Sequence, residues 1–228
     1  DTHGLIDHYH LEPLRKACSY PVVLDTEVTG IKQTNDGYIV EMVSGGEPFE
    51  IESRVVINSA GLYADKIADM TGIDIDKEGY RIHWCKGEYF SLTGKPPALM
   101  LVYPPPPKDE ASLGIHSVPD LTGRLKFGPN AFYVDEINYA VESEKEPFWR
   151  DVVKYFPTVK LEDLHPEMAG IRAKLQGPGD PVRDFGIRHE EDKGLPGFIN
   201  LVGIESPGLT ASPAIAEMVE EMVKEYLG

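Results

Sequence analysis

From Arg54 to Met70 the chain passes from Arg54-Val55-Val56-Ile57-Asn58, a short continuous β-branched run, through Ser59-Ala60-Gly61 into a segment of helical apolar spacing. A strand apolar on both faces has no solvent side, so this one reads as a buried strand of a parallel sheet. Gly72 stands just past the end of the helix that follows, where a left-handed residue commonly closes the last turn. The same order returns near the end of the sequence. Phe198–Val202 leads into the small-residue loop Gly203–Thr210. A helix follows in which Ile215, Met218, Val219, Met222, Val223, Tyr226 and Leu227 repeat at three and four residues. Two strand–loop–helix units of this kind point to an α/β fold. Each also offers the unpaired N–H groups and positive dipole end of a helix N-terminus to an anion. Ordinary turn chemistry produces such loops as well, so either one alone leaves ligand and turn both open.

The remaining segments are of a different kind. Leu11–Cys18 has moderate helical character. Glu27–Lys32 and Tyr38–Val43 flank Asn35-Asp36-Gly37, a hairpin signal, and the alternating Phe49–Glu52 adds a third antiparallel strand. From about Tyr80 to Val141, aromatic and β-branched runs such as Gly87–Leu92 and Leu113–Val118 are broken by Gly and Pro, which predicts a mostly antiparallel sheet. Pro104–Pro107 reads as a surface loop between strands, with a polyproline ligand as the alternative. Phe148, Trp149, Val152, Val153 and Phe156 are spaced for one helical face, and Arg183–His189 returns to strand character.

Composition excludes several classes of function. Lys and Arg number 22 against 38 Asp and Glu, a net charge of −16, which repels a phosphate polyanion and argues against nucleic acid as a partner. No apolar run approaches the roughly 18–20 residues of a membrane span, and Asp1-Thr2-His3-Gly4 is not a signal peptide. Cys18 and Cys85 are the only cysteines. They form neither a disulfide framework nor a zinc motif, so the chain is expected in the cytoplasm. His8 and His10, and the polar cluster His189-Glu190-Glu191-Asp192, have the chemistry of metal ligands but no third ligand at sensible spacing; no metal is expected. Arg172, in the small and apolar stretch Met168–Lys174, either pairs with a buried carboxylate or receives an anionic substrate. His116 is a site candidate, or else a satisfied core histidine.

Five stretches carry a likeness to a known family. Ile51–Ala64 resembles the "vVNaaG" segment of the FAD-dependent oxidoreductases of the D-amino-acid oxidase superfamily, nearest within it to the L-2-hydroxyglutarate dehydrogenase/oxidase branch. Lys86-Gly87-Glu88-Tyr89 is similar to that branch's "rGqy" strand. Gly114-Ile115-His116 with Gly123–Ala131 is similar to "GvH … dG … GPna". Gly170-Ile171-Arg172 is similar to "GiR", and Gly203–Thr210 to the C-terminal flavin loop.

The resemblance implies FAD-dependent oxidation of a small 2-hydroxy acid such as L-2-hydroxyglutarate, by hydride transfer to the flavin. Glycerol 3-phosphate or an amino acid is the alternative substrate, and a non-catalytic remnant or binding module the alternative of another class. It implies a partial FAD-binding domain over residues 1–78, a substrate domain with a mostly antiparallel sheet over 79–164, and a return to the FAD-binding domain over 165–228. His116 would be the base, and Arg172, Tyr89 and Lys86 would meet a carboxylate substrate. Val28, Ala60, Gly61, Leu62, Gly87, Gly203, Ile204, Glu205, Ser206, Pro207, Gly208, Leu209 and Thr210 would approach the flavin. The electron acceptor is left unassigned. The family's first segment carries a G-x-G-x-x-G that seats the FAD pyrophosphate, and no such motif occurs in these 228 residues. The expectation is a chain lacking that segment, which binds FAD weakly or not at all when purified alone. Stoichiometric visible flavin absorbance of the purified chain would contradict it.

Overall fold

The turn residues Asn35-Asp36-Gly37 close the hairpin they predict, with the Thr34 N–H donating to the Gly37 carbonyl at 2.8 Å. Strand β1 (Thr26–Gln33) runs antiparallel to β2 (Tyr38–Ser44), and β3 (Glu47–Ser53) joins the other edge of β2. This is a computed structural model, and it describes residues 2–15, 22–105 and 114–228. Ile31, Tyr38 and Val40 bury one side of the hairpin, and the Tyr38 hydroxyl donates to the Pro196 carbonyl at 2.9 Å. Burial pushes the Tyr38 phenol up to about 12, so the hydroxyl keeps the proton it donates.

The β-branched run becomes β4 (Val56–Asn58), parallel to β11 (Phe198–Val202), with β10 (Gly186–His189) antiparallel on the far side of β11. Only β11 is buried along its whole length. Ile57, expected inside, is 45% exposed, because among the described residues β4 has a strand on one side alone. Asn58 binds this sheet to the turn that follows. Its Nδ2 donates to Asn200 Oδ1 at 2.8 Å and to the Ala64 carbonyl at 2.7 Å, while its Oδ1 accepts the Ala60 N–H at 3.2 Å. Asn200 in turn donates to Glu190, whose buried carboxylate holds Lys193 at 2.7 Å. Asn58, Asn200, Glu190 and Lys193 each have a partner in this run of bonds, so burial costs them little. A 3₁₀ turn (Gly61–Tyr63) and helix α2 (Ala64–Asp69) follow, as the apolar spacing predicts.

Two helices differ from expectation. Helix α1 spans Thr2–Arg15 and begins nine residues before Leu11. Ile6, Tyr9 and Leu11 are exposed on it, and apolar periodicity reports only helices that bury a face; Cys18 lies outside the described residues. Helix α4 (Gly208–Leu227) carries the C-terminal stripe, yet of that stripe only Ile215 and Val219 are buried, and Met218 is 46% exposed.

The chain divides into two compact units, one of residues 1–79, 186–202 and 206–228, the other of 80–185 and 203–205. The return expected at 165 comes instead at Gly186. The reason is β9 (Leu164–Lys174), which pairs antiparallel along the whole of β5 (His83–Leu92) and so belongs to the second unit. There, β6 (His116–Pro119), β7 (Leu125–Gly128) and β8 (Phe132–Tyr133) complete an antiparallel five-stranded sheet. Leu113 and Pro106–Pro107 lie outside the described residues. Phe90, Leu125, Phe127 and Leu164 fill one face of this sheet with Phe148 and Val152 of α3 (Lys145–Val152). The Phe90 and Phe148 rings meet at 4.6 Å. Each such side chain, fully buried, stabilises the unit by roughly 1.5–3 kcal/mol.

Candidate active site

Pairing between β5 and β9 decides which side chains of the second unit share a surface. Residues opposite one another in an antiparallel ladder project to the same face. Cys85 lies opposite Arg172, Gly87 opposite Gly170, and Tyr89 opposite Met168. Lys86, Glu88 and Phe90 alternate to the other face, where Phe90 enters the core.

The first face carries the chemistry. A Cβ on Gly87 would lie 2.8 Å from Pro129 Cβ, 3.0 Å from the Asn130 carbonyl and 3.3 Å from Arg172 Nη1. Glycine there lets the guanidinium and the Pro129 loop close onto the strand. Arg172 is half-buried, with Cys85 Sγ at 3.9 Å, and no carboxylate pairs with it among the described residues. Its charge is nevertheless felt by two neighbours. Burial pushes the Tyr89 phenol up while Arg172 pulls it down, and burial pushes His116 below the usual histidine value with Arg172 adding to the shift. His116 is 9% exposed, and its Nδ1 meets the Gly114 carbonyl at 3.1 Å. Since a carbonyl only accepts, Nδ1 carries the proton and Nε2 keeps its lone pair. The Tyr103 ring stacks on His116 at 4.4 Å.

His116, Tyr89 and Arg172 are thus brought together, and Tyr103 joins them unannounced. Its only local sign was an aromatic ahead of Pro104–Pro107. What brings it to His116 is the long-range bridge between Val102 and Ser117.

Lys86 is not on this face. Its side chain is 1% exposed, and the ammonium pairs with Glu88 at 3.0 Å and Glu142 at 3.2 Å. Burial works to lower the Lys86 pKa, but hydrogen bonds and charge from those carboxylates outweigh it and hold the group above its ordinary value. Glu88 is fully buried, which works to raise its pKa. Hydrogen bonds from Ser143, the Glu142 and Ser143 amides and Lys86 prevail and hold it below the usual carboxylate range. Strand alternation alone turned Lys86 away from the face of Arg172 and into a buried pair.

The residues expected at the flavin fall in both units. In the second, Gly87 is buried, and Gly203 has φ +71° with a Cβ position 2.5 Å from Leu175 Cγ, so only glycine fits. Ile204 is half-buried, and the Glu205 carboxylate is taken by Lys174 at 2.7 Å, which leaves its backbone to offer. In the first unit, Val28 is half-buried next to a bulge in β1. The Ala60 N–H is spent on Asn58, while Gly61 is exposed and Leu62 half-buried. Ser206 and Pro207 are exposed ahead of α4. Gly208, Leu209 and Thr210 open that helix, at positions whose N–H groups have no intrahelical acceptor, and no side chain caps them. His189 Nε2 accepts the Gly197 N–H at 2.7 Å, and among the described residues no cluster of His, Cys, Asp or Glu could hold a metal ion. No helix among the described residues is long and apolar enough to cross a membrane.

Known proteins match this chain in sequence and in fold. The DAO model, described as FAD dependent oxidoreductase, matches residues 19–222. The mitochondrial L-2-hydroxyglutarate dehydrogenase of Arabidopsis thaliana is 41% identical over 184 residues, which cover 75% of this chain and 38% of that protein. A glycerol 3-phosphate dehydrogenase of Caloramator mitchellensis is 30% identical over 89% of this chain and 40% of its own length. The dithionite-reduced L-α-glycerophosphate oxidase of Mycoplasma pneumoniae with FAD bound superposes with a TM-score of 0.68 at 27% identity, covering 87% of this chain and 50% of that one. The chain spans half or less of the length of these relatives.

The buried pair gives a test. Lys86→Met should destabilise the protein by about 1–3 kcal/mol, the cost of leaving a buried charged acceptor short of a donor. Denaturant unfolding measures it. An unchanged midpoint would show that the amides of Glu142 and Ser143 suffice for Glu88.

Proposed function

The chain belongs to the DAO family of FAD-dependent oxidoreductases, and from that premise we propose that its protein oxidises a small 2-hydroxy acid such as L-2-hydroxyglutarate. The observation that carries this reading is the half-buried Arg172, without a carboxylate partner among the described residues, beside Tyr89 and His116. A guanidinium in that setting is a bidentate seat for a substrate carboxylate. The 41% identical relative is named for L-2-hydroxyglutarate; the 30% identical relative, named for glycerol 3-phosphate, supplies the rival.

The residues present fit FAD. The open amides of Gly208, Leu209 and Thr210 are donors for a flavin's electron-rich pyrimidine edge. Within the first unit we assign Val28, Gly61, Leu62 and Ser206–Thr210 to FAD. Ala60 is outside this assignment, since its N–H is spent on Asn58 and its carbonyl accepts the Tyr63 N–H at 3.1 Å. Bound FAD supplies the two-electron acceptor that takes hydride from the substrate carbon. Arg172 fixes the carboxylate and with it the orientation of that carbon, Tyr89 lines the pocket, and His116 Nε2 accepts the hydroxyl proton. His116 would thus hold the proton of the hydroxyl, and the oxidised product would be a keto acid. The antiparallel-sheet unit, residues 80–185, forms the substrate side in this reading. Cytoplasmic location is part of it, supported by Cys85 being a free, buried thiol.

The substrate is tested by presenting 2-hydroxy acids, amino acids and glycerol 3-phosphate to the whole FAD-loaded protein. Oxidation of 2-hydroxy acids is expected, and preferential use of glycerol 3-phosphate would overturn the reading. Arg172→Lys keeps the charge and loses the fork, so kcat/KM should fall on the order of 10- to 100-fold with the melting temperature nearly unchanged. A collapsed melting temperature with normal activity per folded molecule would make Arg172 structural instead.

The base has its own pH signature. His116 works deprotonated, so kcat/KM is full above its pKa and lost as pH falls through it. Burial holds that pKa below the ordinary 6.5, and the acid limb should lie there. A limb that survives in His116→Gln would assign the base elsewhere.

A further inference from the structure

The face that holds Arg172 carries a second cation. Along β7, Leu125 and Phe127 point into the core, so Lys126 and Gly128 point the other way. A Cβ on Gly128 would meet the Tyr89 ring at 2.8 Å, which identifies that side as the face of Tyr89 and Arg172. His116 lies opposite Gly128 and shares it. Lys126 extends across β5 to Met168, the residue opposite Tyr89, with Nζ 3.3 Å from Sδ. A thioether is a weak acceptor. Among the described residues no carboxylate pairs with Lys126, although the sequence carries 38 acidic residues against 22 basic ones. Lys86 and Lys174 of the same unit are both paired.

The spacing of the two cations sets what they can hold together. Arg172 Nη1 lies by Gly87, and Lys126 Nζ lies by Met168, two ladder pairs further along. Two strand residues are about 7 Å, and crossing β5 adds to that. One carboxylate or phosphate contacts its donors at about 3 Å and cannot span both. A five-carbon diacid, its carboxyl carbons roughly 5 Å apart, reaches both with a hydrogen bond of about 2.8 Å at each end.

Resting on the 2-hydroxy acid reading, we propose that Lys126 is the specificity-determining residue that receives the distal carboxylate of a five-carbon 2-hydroxy dicarboxylate whose proximal carboxylate is held by Arg172. Lys126 takes no part in bond breaking. It selects the diacid over a monoacid of the same length, because the monoacid would leave an ammonium facing a methyl group.

The test compares L-2-hydroxyglutarate with L-2-hydroxypentanoate on the whole FAD-loaded protein and on Lys126→Met and Lys126→Arg. In Lys126→Met, KM for the diacid should rise about 10- to 100-fold with kcat little changed, as for a lost charged hydrogen bond. KM for the monoacid should stay the same or fall, and Lys126→Arg should recover most of the diacid preference. Should Lys126→Met fail to fold, Lys126→Gln answers the same question. A wild-type diacid preference that survives Lys126→Met overturns this inference and leaves the proposed function standing. A wild-type protein that oxidises neither acid overturns both.

Discussion

The antiparallel ladder between β5 and β9 is the constraint on which the second unit depends. It fixes in one stroke which residues meet solvent or ligand and which meet the core. Because the side-chain period of a strand is two, a slip of one residue would send Arg172 into the core and Ile171 onto the functional face. The register shift between Tyr89 and Phe90 is taken up by one extra residue of β9, Glu167. Alternation along β5 therefore continues, with Phe90 in the apolar cluster and Tyr89 on the face of Arg172.

Cations of the second unit are sorted by this ladder into two kinds. On one face, Lys86 is buried against Glu88 and Glu142, where two opposite charges and two backbone amides satisfy one another. Taking such groups out of water is expensive, and full pairing is what makes the arrangement tolerable. On the other face, Arg172 and Lys126 have no carboxylate among the described residues, and their neighbours are Cys85 Sγ, Met168 Sδ, aromatic rings and glycine. Soft, weakly accepting partners leave a cation's hydrogen-bonding capacity to be filled by an anion. Similar residue types are thus paired with carboxylates on one face of the sheet and left without them, among the described residues, on the other.

The first unit solves a different problem, a sharp exit from a parallel strand into a helix. Asn58 at the end of β4 accepts the Ala60 amide and donates to Ala64 and Asn200, so the turn is fastened to β11 as well as to the helix it leads into. Glu190 and Lys193 extend the same buried chain of bonds. Fastening of this kind makes the loop's geometry a property of the sheet.

Local chemistry was enough to determine the first hairpin, the parallel character of Val56–Asn58, the helix after Gly61 and the C-terminal helix, since turn residues and apolar periods act over a few residues. The motif likeness determined the family and named Arg172, Tyr89 and His116. Lys86 went wrong because adjacent residues of a strand face opposite ways, and which way depends on a partner strand nearly ninety residues distant. Tyr103 and Lys126 were invisible for the same reason: one reaches His116 through pairing with β6, the other reaches Met168 across β5. Helix α1 was placed too late, at Leu11–Cys18, because Ile6, Tyr9 and Leu11 are exposed and give no buried stripe to read. Sequence determined the elements and the chemistry available to them. Only the tertiary structure decided which charges are paired and which are left for a ligand, because pairing depends on distances that strand register and chain crossing set.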